Sequence, residues 1–113
     1  MSIINSNKSC IIDDRPTTKS ITLTFHSDSG HGWLAVPVDM LRELHVDQDI
    51  SIYSYLQAGY AYLEEDCDLS TFMIAAKHHG YHVNFVDSHV DGDSFVRSLP
   101  RYINHPDDCT GGF

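Results

Sequence analysis

Four carboxylates fall within five positions of the stretch YLEEDCD: Glu64, Glu65, Asp66 and Asp68, with Cys67 among them. Such side chains can hold a cation, share a proton in acid–base work, or present negative charge to a basic partner. An EF-hand loop is excluded, because the D-x-D-x-D-G spacing is missing. An acid–base pair needs one carboxylate taken out of water, and nothing in the stretch signals burial. The plainest alternative is a helix start. Carboxylates near a helix N-terminus contribute about 0.3–1 kcal/mol each through the helix dipole, and a cap at Asp68 about 1 kcal/mol. One or two acids satisfy that role, whereas four crowd one another. The surplus points to an outward negative patch.

Histidines form the second set. His31 sits between two glycines in GHGW, beside Trp33. A histidine at such a turn can approach a ligand closely, or can simply be a surface imidazole. His78, His79 and His82 lie together at the far end of the helix expected after Asp68. That helix spans about 16 Å, so Cys67 and His78 cannot share one ion within it. Gly80 also breaks the spacing between His78 and His82, and histidines in a last turn suit the helix dipole. No metal and no cofactor are therefore expected. Nucleophile-elbow, Walker and Rossmann glycine patterns are absent, so no catalytic residue is assigned. Tyr53 and Tyr55 fall on one face of an expected strand, where exposed tyrosines suit protein contacts. The expected partner-binding set is Glu64, Glu65, Asp66, Asp68, Tyr53, Tyr55, His31 and Trp33.

Elements that would position these groups are legible from periodicity. SITLTFH (20–26) alternates apolar and polar residues as a half-buried strand does, and WLAV (33–36) is a more continuously apolar strand. SDSGHG turns the chain between them. Pro37 suits a helix start, and PVDMLRELH places Met40, Leu41 and Leu44 on one face. ISIYSYLQ (50–57) alternates again, and AG turns it into YAYLEE as a second hairpin. Leu69, Phe72, Met73 and Ala76 make the apolar stripe of a second helix, which Gly80 ends in the left-handed conformation. YHVNFVD (81–87) is a fifth strand. The order β-β-α-β-β-α-β predicts an α+β domain, with a mainly antiparallel sheet of about five strands and two helices. One domain is expected over residues 20–102. Residues 1–19 form an arm, where CIID could add an edge strand, and residues 103–113 form a tail.

Charge narrows the function. The 113-residue chain has a formal net charge of −9, and residues 20–102 hold twelve acids against four bases. Such a domain repels phosphate backbones, so direct nucleic-acid binding is disfavoured and a basic protein surface is favoured. No apolar run reaches the roughly 20 residues of a membrane span, and the first residues make a poor signal peptide. Three cysteines without a CxxC spacing fit a reducing compartment, so the expected location is cytoplasmic.

Two resemblances add to this reading. GHGWLAVP, YSY and AYLEEDCD, followed by an amphipathic helix, resemble a family of short uncharacterised proteins of phages, prophages and plasmids, over about Gly30 to Tyr102. The resemblance implies a mobile-element setting and no assigned chemistry. GHGWLAVPVDMLRELHVDQDISIYSY also resembles the AbrB-like swapped-hairpin half, in which a strand ends in proline and a short helix follows. That resemblance implies local topology and a homodimer. It does not extend to DNA binding, because His31 and Trp33 stand at the positions between strand and helix and no arginine precedes Arg42 within that stretch. The expected function is a non-enzymatic acidic binding protein, a phage or plasmid accessory or anti-defence factor, whose partner is a host or phage protein with a basic surface. Two alternatives stay open: a metal- or ligand-dependent enzyme around His31 and the acidic cluster, and an AbrB-like regulator.

Overall fold

A computed structural model describes residues 19–103. The arm over residues 1–18, with its CIID segment, and the tail beyond residue 103 lie outside the described residues. The elements are β1 (Lys19–Ser27), β2 (Gly32–Pro37), α1 (Val38–Glu43), β3 (Tyr55–Gln57), β4 (Tyr60–Glu64), α2 (Leu69–His78) and β5 (Tyr81–His89). Short 3-10 turns occur at Asp47–Asp49 and Phe95–Ser98. The five strands form one sheet in the order β3-β4-β2-β1-β5. Three of its pairings are antiparallel, and β5 lies parallel to β1 along the whole of both strands, from Lys19↔Tyr81 to Ser27↔His89. The α+β class, the five strands and the two helices agree with the periodicity.

The turns follow their residues. Ala58 and Gly59 both take positive φ (52° and 85°), the pair of left-handed residues that closes a two-residue hairpin with the twist of its strands. Gly80 ends α2 at φ 85°, and its N–H reaches the Lys77 carbonyl at 3.0 Å. Gly32 is required for another reason: a Cβ there would run into the Phe25 ring.

Strand β2 is buried on both faces, which is why WLAV reads as continuously apolar. Its pairing decides what each face meets. Leu34 pairs with Leu63 and Val36 with Ala61. These residues join Leu23, then Met40, Leu41 and Leu44 from α1, and Phe72 and Ala76 from α2, in the main core. The opposite face carries Trp33 and Ala35, paired with Glu64 and Tyr62. The chain after β5 covers part of it. Phe95 sets its ring edge-on against His26 and Tyr62, and Val96 is wholly buried. Leu56 then donates to the Pro100 carbonyl at 2.8 Å and Tyr102 to the Ser54 carbonyl at 2.8 Å, laying residues 100–102 beside β3.

One expected strand is shorter than its alternation implies. Only Tyr55–Gln57 of the 50–57 stretch pairs in the sheet. Ile50 and Ser54 are buried, whereas Ile52 stands 64% exposed. The cause lies outside the stretch: Ser51 and Ser54 bend inward to a carboxylate, and that bend takes the segment away from the ladder.

Candidate functional site

The carboxylate is that of Asp68, which occupies the N-cap position of α2 without making a side-chain cap bond. Asp68 is instead buried, accepting from the Ser51 N–H at 3.1 Å, the Ser51 hydroxyl at 2.7 Å and the Ser54 hydroxyl at 2.5 Å. Ser54 Oγ also accepts from the Glu64 N–H at 2.9 Å, which ties the end of β4 to the same network. The expectation that Asp68 is a cap on an outward patch is therefore corrected. The same correction applies to Glu64, which is 8% exposed. The strand register explains it: Glu64 stands opposite Trp33 on the sheet face that the last segment covers. Only Glu65 and Asp66 of the four acids are exposed.

On this face the strand ends enclose a cleft of about 390 Å³, lined by His31, Trp33, Tyr53, Tyr55, Glu64, Asp66, Cys67, Arg97 and Arg101. Six of the eight expected partner-binding residues thus meet in one concavity, drawn from the β1–β2 turn, the 50–57 stretch and the end of β4. Glu65 and Asp68 do not line it. Trp33, in the expected partner-binding set, lines the cleft but is buried, so little of its ring is open to a partner. Tyr53, 59% exposed, is on the rim.

Two of the acids gather around His31. His31 Nδ1 lies 3.3 Å from Glu64 Oε2, and the Asp66 N–H donates to Glu64 Oε1 at 2.9 Å. The Cys67 thiol is pushed up in pKa, first by its hydrogen bond to Glu64, then by burial and by the charges of Glu64, Asp68 and Asp66. That environment disfavours the thiolate, so Cys67 is a poor nucleophile.

Two arginines line the same cleft. Arg97 holds Asp28 bidentately, Nε to Oδ2 at 2.6 Å and Nη2 to Oδ1 at 2.9 Å, and its guanidinium lies 5.5 Å over the Trp33 ring. Arg101 lies 4.8 Å over Tyr55 and donates to the Ile52 carbonyl at 3.3 Å. Asp28 also accepts from the N–H groups of Gly30, His31 and Ser94, and so pins the His31 turn to the last segment. Sequence reasoning missed Arg97, Arg101 and the anchor Asp28. The spacing of the two arginines in VRSLPRY was their only local signal.

The Asp28 anchor makes stability depend on acid. Its hydrogen-bonded pairing with Arg97, then the backbone donors, hold this carboxyl well below the usual carboxylate range. The pKa is depressed in the folded state, so the stabilisation is complete above the ordinary value of 3.8 and is lost as pH falls below it. The Tm difference between the parent chain and Asp28→Asn should therefore shrink on acidification from about pH 6 to about pH 2. A difference that stays constant over that range would show that Asp28 is not held ionised by Arg97.

No helix among the described residues is long and apolar enough to cross a membrane. Comparison of the chain with protein-family models, with curated proteins and with solved structures gives no match. The site is read from its own chemistry.

Proposed function

We propose that the protein is a non-enzymatic binding protein, and that it meets a basic protein surface at the rim of this cleft. The observation that supports this most is the gathering of His31, Trp33, Tyr53, Tyr55, Glu64 and Asp66 around one concavity. Concave sites with an aromatic floor and a few convergent polar groups are the usual form of a binding site. Glu65 outside the cleft and Asp66 in its lining stand exposed, and the chain's charge of −9 draws a basic partner from a distance. The resemblance read in GHGWLAVP, YSY and AYLEEDCD implies a mobile-element setting, and the proposal therefore includes an accessory or anti-defence role in the cytoplasm of a host cell. A second reading, a metal- or ligand-dependent enzyme, is favoured by one observation: His31 and Glu64 line the same cleft as two arginines.

The test places a photo-crosslinking residue at Tyr53 and captures adducts in cells that carry the gene. One protein adduct with a basic surface is expected, and it should weaken as salt rises. Glu65→Gln should reduce capture by a few fold and leave Tm within about 1 °C, because an exposed charge acts on association more than on folding. A nucleic-acid adduct, or a protein adduct indifferent to both salt and Glu65→Gln, would remove the proposal.

A further inference from the structure

Two buried acids stand at the end of β4 and in the turn after it. Glu64 and Asp68 are both buried and lie on one tight turn, where the Cys67 and Asp68 N–H groups donate back to the Glu64 carbonyl. Asp68 is satisfied by its three serine donors. Among the described residues, the Glu64 carboxylate meets the Asp66 N–H, the half-exposed His31 ring and the thiol of Cys67. None of the ion pairs formed by lysine or arginine among the described residues reaches either acid. A carboxylate taken out of water without a cation is costly, and bound ions are a common remedy.

The donor atoms for such an ion are already assembled. His31, Glu64 and Asp66 each offer one ligand atom, and these atoms all lie within 4.8 Å of one another. Ligands at about 2.1 Å from a shared ion stand roughly 3.4 Å apart, so the three need to close by an ångström or so. The exposure of two of them leaves room for that closure. The Glu64 side chain is 10% exposed and fixed by the strand, the His31 side chain is 47% exposed, and Asp66 is on the surface. The set comes from two elements that register brings together, the β1–β2 turn and the end of β4.

We infer that His31, Glu64 and Asp66 form a divalent transition-metal site opening into the cleft. One imidazole and two carboxylates suit a borderline ion such as zinc or manganese. Calcium wants six to eight oxygens, and copper(I) wants sulfur. Three protein ligands leave coordination positions open toward the cleft, where a group from a partner or small ligand can complete the shell. The inference does not rest on the proposed partner. A divalent ion offsets only two of the nine formal negative charges, so the attraction for a basic surface survives it.

The test is titration of the purified, chelator-treated full chain with zinc chloride and, separately, manganese chloride, followed by calorimetry and thermal unfolding. Binding of one ion per chain with a rise in Tm is expected for at least one of the two. Glu64→Gln can fail to fold, so the deciding variants are the exposed ligands. His31→Asn and Asp66→Asn should each weaken binding at least tenfold while far-UV circular dichroism is unchanged. Replacing His78, His79 and His82 together by Asn should leave the affinity as it was. No binding of either ion, parental affinity in both single variants, or loss of binding in the triple helix-end variant would overturn the inference.

Discussion

Asp68→Ala should destabilise the protein by about 3–4 kcal/mol, several times the roughly 1 kcal/mol that removal of a helix cap costs. Asp68 caps nothing through its side chain. Its carboxylate receives the Ser51 N–H and the hydroxyls of Ser51 and Ser54, in a place where Ser54 is wholly buried. Truncation leaves those donors without an acceptor, and each buried orphan costs about 1–3 kcal/mol before relaxation. It also frees the 50–54 bend that sets Tyr53 and Tyr55 in the cleft. Asp68→Asn should cost less, because the amide oxygen keeps one acceptor. Urea unfolding with an unchanged m-value measures the difference. A loss near 1 kcal/mol would restore the cap and leave the bend without its cause.

Trp33→Ala should cost a similar amount, about 3–5 kcal/mol. The indole is 2% exposed, packed edge-on to Tyr55 at 6.3 Å, beneath His31 and under the Arg97 guanidinium. Removing it opens a cavity between the sheet and the last segment. Trp33→Phe fills most of that volume and should cost about 1–1.5 kcal/mol, with a weaker stacking surface for Arg97. These outcomes separate two roles for the residue. A tryptophan that served only a partner would be lost from Tm without effect and would register in capture alone. A buried one registers first in Tm. Chemical unfolding of both variants decides it.

Trp33 also shows how far a linear reading reaches. Its glycine neighbours and the apolar run after it mark a turn and a strand, and both are present. Whether the ring faces a partner or the interior depends on Phe95 to Tyr102, where FVRSLPRY by itself reads as a short extended or turn segment. The 50–57 stretch errs for the same reason. Its alternation is that of a strand, yet a carboxylate beyond β4 bends half of it out of the sheet.

The sequence by itself determined the elements whose causes are local. Apolar spacing set α1 and α2, Ala58–Gly59 and Gly80 set their turns, and alternation set β1; each depends on residues within a few positions of one another. It also determined the net charge, which is a sum and needs no fold. Only the tertiary structure decided which acids face water. Glu64 and Asp68 look the same as Glu65 and Asp66 in YLEEDCD, but the pairing of Glu64 with Trp33 and the serine donors to Asp68 take the first two inside. It decided as well that His31 meets Glu64 while His78, His79 and His82 stay apart from the acids. Proximity between residues far apart in the chain comes from strand register and from what covers a sheet face, and no short window of residues encodes either.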